Sequence, residues 1–179
     1  MEKKSEMGLV HIYYGEGKGK TSIGMGMSIR AAGYGLKVLI YQFMKDNSSS
    51  EREGIKHVPG VLLKAGLNEE KFSFQMSEDE KIKRRIFYNS KLDEILVQVE
   101  QEKVDVLFLD EIIYTVRAGL LEESSVITFL KNKPVSLEVI LTGNGDITKL
   151  IEYADYISEI KKIKHPYDKG TKARRGIEK

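Results

Sequence analysis

The sequence predicts an α/β fold, a mostly parallel sheet with helices on both faces. Three observations carry that expectation. An apolar run at Leu9, Val10, Ile12 and Tyr13 closes on a glycine-rich turn, which opens a helical stretch. Nearly continuous apolar runs recur at 37–43, 104–109 and 137–141, as in strands buried on both faces. Helical patterns separate these runs, and strand, helix, strand within a few tens of residues means a right-handed βαβ unit.

The first turn reads Tyr14, Gly15, Glu16, Gly17, Lys18, Gly19, Lys20, Thr21, Ser22. Its glycines let successive backbone N–H groups face one anion with no Cβ in the way. The helix N-terminus adds unpaired donors and the positive end of a dipole. Lys20 brings a full charge for distal phosphates, and Thr21 a hydroxyl for Mg²⁺. The spacing departs from Gly-x₄-Gly-Lys-[Ser/Thr] at Tyr14, because the first glycine, Gly15, comes one place late. The plainer reading is a glycine-rich turn with ordinary surface lysines. Against it, the flanking strand and helix stand where a phosphate loop needs them.

A first helix is expected over Thr21–Ala32, with Ile23, Met27 and Ala31 on one face and Gly33 and Gly35 as its stop. The strand at 37–43 leads into a polar segment, 44–56, which is either a ligand loop or a solvated connection. Val61–Lys64 is a short strand candidate. Gly66–Ser77 is irregular and carries Phe72 and Phe74, whose spacing also suits a strand edge packing one side. Glu78–Glu102 is the longest helix, with an apolar stripe at Tyr88, Leu92, Ile95, Leu96 and Val99 and a solvated charged face.

The run Val104–Leu109 ends in Asp110 and Glu111. Acids at the carboxyl end of a hydrophobic strand, downstream of a phosphate loop, hold Mg²⁺ directly or through water. Glu111 is the expected inner ligand, with Asp110 beside it; a helix cap is the plainer alternative. Segments 112–121 and 122–131 look helical, broken by Gly119. The strand at 137–141 runs into a second glycine turn at 142–146, two helical turns follow over 147–153, and Tyr156–Ile160 is a last strand. The tail 161–179 is basic and glycine-bearing, and alone it passes for a disordered end. His11 and His57 have no ligand partner in sight and read as structural.

At 179 residues the chain is expected to form one domain over 1–179, with 1–7 a short lead and 161–179 a tail. A net charge of +2 gives no reason to expect nucleic-acid binding. The absence of cysteine excludes disulfides and cysteine-based zinc sites. No apolar segment has membrane length and none looks like a signal, so no membrane association is expected and a cytoplasmic location is.

Five stretches in one order resemble the P-loop cob(I)alamin (corrinoid) adenosyltransferases, a likeness covering nearly the whole chain after residue 7. Gly15–Ser22 is similar to that family's Gly-x-Gly-Lys-Gly-Lys-Thr-[Thr/Ser], which also lacks the leading glycine. Gln42-Phe43-Met44-Lys45 resembles its Gln-Phe-[Ile/Met]-Lys, and Leu109-Asp110-Glu111 with Tyr114 its Leu-Asp-Glu-x-x-Tyr. The others are Thr142-Gly143-x-Gly145 and Lys164-His165-x-Tyr167-Asp168-x-Gly170, followed by Ala173 and Gly176-Ile177-Glu178.

The resemblance implies a RecA-like P-loop fold and transfer of the 5′-deoxyadenosyl group from ATP to the Co(I) of a corrinoid, with loss of triphosphate. Alignment and neutralisation of the leaving group would do most of the work. Lys20 and Thr21 would then be the catalytic residues. Gly15, Gly17, Lys18, Gly19 and Ser22 would complete the phosphate cradle, and Thr21, Glu111 and Asp110 would hold Mg²⁺ (or Mn²⁺). Phe72 and Phe74 match a Phe-x-Trp that replaces the corrinoid's lower axial ligand, here with Phe for Trp. Relatives commonly carry arginine at the place of Asn144 and asparagine at the place of Glu16. A reduced flavoprotein as electron donor and a homodimer are implied too. The alternatives are a P-loop phosphotransferase or ATPase, and a non-catalytic ATP- or corrinoid-binding paralogue.

Overall fold

The structure is a computed structural model that describes residues 6–67, 71 and 73–178. Six parallel strands form one sheet: β1 (Val10–Tyr14), β2 (Val38–Gln42), β3 (Val61–Leu63), β4 (Val106–Asp110), β5 (Glu138–Gly143) and β6 (Tyr156–Glu159), in the order β3-β2-β4-β5-β1-β6. Helices cover both faces, the arrangement expected of a RecA-like α/β fold.

Side chains alternate along each strand, so the two faces build separate cores. Val38, Ile40, Val106, Phe108 and Ile140 pack under α1 (Lys20–Gly33) and α2 (Ser50–Ile55). Leu39, Tyr41, Leu107, Leu109, Val139 and Leu141 pack against α3 (Glu78–Gln101), α4 (Ile112–Arg117) and α5 (Glu123–Asn132). From α3 the contacts are Tyr88, Leu92, Ile95 and Val99, as the apolar stripe predicts. Ser77 and Glu80 form a reciprocal capping box that starts this helix.

Four local expectations are refined. The buried residues of α1 are Gly24, Met25 and Ser28; of the expected face, Met27 and Ala31 pack against the same core but stay partly buried. The helix approaches the sheet so closely that a Cβ on Gly24 would stand 2.1 Å from Phe108 Cζ, so only glycine fits at that point of the buried face. The polar segment 44–56 contains α2, because Ile55 is buried and Arg52 is satisfied by Gln42 and the Lys64 carbonyl. Segment 147–153 is a turn and a single 3₁₀ turn at Ile151–Tyr153, since Asp146 accepts from the Thr148 amide and hydroxyl and fixes a tight turn first. The tail is placed against the glycine-rich loop instead of leaving the fold. His11 is structural as expected: its Nε2 meets Glu138 Oε1 at 2.6 Å and its ring stacks on Tyr156.

Parallel register brings the carboxyl ends of five strands to one edge. Gln42 stands opposite Asp110, and Tyr14 opposite both Gly143 and Glu159. The loops that follow these residues make the site.

Candidate nucleotide site

Gly15 and Gly19 adopt φ 112° and 116°, and Gly19 is the residue from which α1 starts. Gly17 is required for a second reason. A Cβ there would fall 2.6 Å from Ile160 Cγ2, where the chain leaving β6 crosses the loop. The amides of Gly15 and Gly17 donate to the Gly143 and Ile160 carbonyls at 3.2 and 2.7 Å. These two residues therefore shape the loop. The first-turn amides of Lys20, Thr21 and Ser22 have no acceptor within the helix and point where an anion would sit.

Lys20 folds back so that its Nζ donates to the Gly17 carbonyl at 2.8 Å. Burial pulls its pKa down, while Glu111 and Asp110 oppose that shift. The Thr21 hydroxyl donates to Asp110 at 3.0 Å. Asp110 is fully buried and also accepts from Thr142 Oγ1 at 2.6 Å, Lys45 Nζ at 2.7 Å and Gln42 Nε2 at 3.1 Å. The Gln42 amide is oriented by Arg52, which donates to its Oε1 at 3.1 Å, and its Nε2 also reaches Glu51. Burial opposes the charge of Lys45, but Asp110, Glu51 and Glu111 more than offset this, and its pKa is raised.

Glu111 starts α4 from a left-handed conformation, φ 61°, held by a bond from its amide to Thr142 Oγ1 at 3.0 Å. Burial first, and then the neighbouring Asp110, raises its carboxyl pKa. Both acids of the strand end thus belong to one cluster with Thr21. The donors are all oxygens, which suits a hard divalent cation such as Mg²⁺. Among the described residues no group of three or more His, Asp or Glu is assembled. A divalent ion would therefore need oxygens from its ligand beside those of Thr21, Asp110 and Glu111.

A cavity of about 630 Å³ opens over this cluster, a size ordinary for a small-molecule site. Gly17 to Ser22 form one wall, Lys45, Glu51 and Glu111 another, and Ile177 with Glu178 a third. Next to it, a cavity of about 660 Å³ has Leu67, Met76 and Phe87 for its apolar lining, and Lys83, Arg84 and Lys91 among its basic groups. The linings of the two are linked through Lys45. Its ammonium faces the first cavity, while its carbonyl accepts from the amide of Leu67 at 3.0 Å in the second.

The profile of the family described as ATP:corrinoid adenosyltransferase BtuR/CobO/CobP matches residues 6–178. The chain belongs to this family. It is 30% identical over 178 residues to the corrinoid adenosyltransferase of Escherichia coli strain K12, covering 99% of this chain and 88% of that protein. Its identity to the corrinoid adenosyltransferase of a Sinorhizobium species is 32% over 179 residues, 98% of this chain and 82% of the other. The corrinoid adenosyltransferase CobA of Salmonella typhimurium is 29% identical over 178 residues, with 99% and 88% covered. None of these names favours a phosphotransferase or ATPase.

Of the aromatic pair, Phe72 lies outside the described residues. Phe74 sits in a 3₁₀ turn, Ser73–Gln75, and is 79% exposed. Ser73, between the two, shares a hydrogen bond of 3.2 Å with the Tyr114 hydroxyl, three residues after Glu111. This brings the turn that carries Phe74 to the same sheet edge as the acids. Sequence reasoning gave no role to Lys45, Glu51, Gln42 or Glu178. Three of these four stood inside family-like motifs, but only the fold shows what they touch. No helix among the described residues is long and apolar enough to cross a membrane.

Proposed function

We propose that this protein transfers the 5′-deoxyadenosyl group of ATP to the Co(I) of a corrinoid, releasing triphosphate, in adenosylcobalamin biosynthesis or salvage. The observation that carries the reading is the meeting of Lys20 and Thr21, at the end of a glycine-rich loop, with buried Asp110, in a chain of this family. Co(I) donates the electron pair of the new Co–C bond at C5′. The C5′–O bond breaks, and its pair leaves on the triphosphate. No protein nucleophile or general base is needed, so the chain's task is orientation and charge neutralisation.

In this reading Lys20 neutralises the leaving group with the first-turn amides, and Lys18 assists. Gly15, Gly17 and Gly19 shape the cradle, which Ser22 completes. Thr21, Asp110 and Glu111 hold Mg²⁺ (or Mn²⁺), which supplies further charge neutralisation on the triphosphate when bound. Phe74 would pack against the corrinoid, a role the sequence also assigns to Phe72; the Ser73–Tyr114 bond supports this by anchoring the Ser73–Gln75 turn beside the acids. We extend the reading to a single domain over 1–179, a homodimer, a reduced flavoprotein as electron donor and a cytoplasmic location.

The test is anaerobic incubation with Mg·ATP and chemically reduced cob(I)alamin. Light-sensitive adenosylcobalamin and an equal amount of tripolyphosphate are expected, and Lys20→Ala should abolish both. ADP as product would replace this reading with phosphotransfer. Bound ATP without a Co–C bond would replace it with a binding paralogue.

A further inference from the structure

Lys45 stands where a metal would be expected to enter. Its ammonium lies 2.7 Å from Asp110 Oδ2, 3.2 Å from Thr21 Oγ1 and 3.6 Å from Glu51 Oε1. Two of these oxygens are the ones assigned above to the divalent ion. The aim of the side chain is built into the backbone. Met44, just before it, takes φ 55°, a left-handed conformation uncommon outside glycine and asparagine. Its amide is held by the buried Tyr88 hydroxyl at 2.9 Å, and the Lys45 carbonyl is held by the Leu67 amide. The backbone is pinned on both sides of Lys45, which leaves the side chain as the part free to move.

An ionised carboxylate offers about four acceptor directions. Asp110 already receives Thr21, Thr142, Gln42 and Lys45. One of these donors must leave before a metal ion can bind Asp110. Thr21 has a short side chain at the start of α1 and is itself assigned to the metal, Thr142 is buried in β5, and Gln42 is buried in β2 and tied to Arg52 and Glu51. Lys45 alone has a long flexible stem and a second carboxylate, Glu51, beside it. Without any cation, Asp110 would be a buried charge with no opposite partner in contact, which is strongly unfavourable.

We infer that Lys45 is a resident cation of the acidic cluster. Its ammonium neutralises Asp110 in the nucleotide-free protein and keeps free divalent ions off the Thr21 and Asp110 oxygens. It yields them only to an ion that arrives bound to a polyphosphate. The inference rests on the assignment of Thr21 and Asp110 to the metal. Its consequence for the reaction is an order of events, in which metal and nucleotide enter together and the metal does not bind first.

The test measures binding of Mn²⁺ alone, from the electron paramagnetic resonance signal of the free ion, in wild type, Lys45→Met and Lys45→Gln. The glutamine amide can still donate to Asp110, which protects the fold if the methionine variant fails. Wild type should bind Mn²⁺ at least about tenfold more tightly with ATP than without it. Either folded variant should bind Mn²⁺ alone at least about tenfold more tightly than wild type does. Mn²⁺ alone should also raise the Tm of the variants and leave that of wild type unchanged. Tight binding of Mn²⁺ alone by wild type, or no gain in either variant, overturns the role of Lys45. Failure of wild type to bind Mn²⁺ even with ATP overturns the metal assignment itself, and this inference with it.

Discussion

The Lys18 ammonium and the Glu178 carboxylate, 160 positions apart in the chain, meet at 3.1 Å. Arg174 holds the same carboxylate at 2.7 Å, so the tail is fastened to the glycine-rich loop by one acid between two bases. Gly176, Ile177 and Glu178 thereby become a wall of the nucleotide cavity. The phosphate loop and the last turn of the chain form one structural unit.

Loosening that fastening should show in proteolysis. In Glu178→Gln, trypsin is expected to cut after Lys172, Arg174 or Arg175 several-fold faster than in wild type, with cleavage elsewhere unchanged. Hydrogen bonds from Arg174 hold the Glu178 carboxyl well below the usual carboxylate range. A depressed pKa contributes above the unfolded value of about 4.3 and is lost as pH falls through the folded one. Protection of the tail should therefore be level from about pH 5 to 8. A steady decline across that window would rule out the ion cluster as its cause.

Asp110→Asn removes the charge that balances Lys45. Breaking a buried pair from one side costs about 3–5 kcal/mol. The lower end is expected here, about 3 kcal/mol, because the Lys45 side chain retains 22% exposure. Urea unfolding reads this directly. A loss under about 1 kcal/mol would show that Asp110 carries no such weight in the fold.

Gly24→Ala drives a methyl group into the Phe108 ring, whose Cζ would lie 2.1 Å away. Overpacking of this kind costs about 1–3 kcal/mol. Phe108→Leu in the same chain should recover part of it, since the two sites share one space. Strictly additive losses in the double variant would mean that the contact is not the cause.

The start of α3 should respond to acid. Ser77→Ala is expected to cost about 1 kcal/mol as the loss of an N-cap. Its partner Glu80 has a carboxyl pKa lowered to about 2, first by the hydrogen bond from Lys71 and then by the Ser77 amide. That contribution is present above the unfolded value of about 4.3 and is lost as the pH falls through the folded one. Wild type and Glu80→Gln should differ in Tm at neutral pH and converge in strong acid. A constant difference down to that point would exclude the Glu80 charge.

The residues proposed to touch a ligand were easier to read than the residues that support them. Lys20, Thr21, Asp110 and Glu111 stand at strand ends and a helix start, positions that local pattern marks. The structure groups them in one cluster. Arg52 and Gln42 orient Asp110 from within a segment that read equally as a ligand loop or a solvated connection and from a strand. Nothing in the spacing of a buried arginine says which amide it will reach.

By itself the sequence determined the alternation of strands and helices, the glycine-rich loop and the acids that end β4, because these follow from short-range periodicity and backbone freedom. The interior side of α1 was decided by tertiary structure: Phe108, far along the chain, admits only a glycine beneath it. The tail was decided the same way. Its basic composition predicts disorder, and what orders it is the crossing of Ile160 over Gly17 and the pairing of Glu178 with Lys18. Contacts between residues more than a hundred positions apart leave no periodic trace in the chain. They exist only once the sheet has set β1 beside β5 and β6.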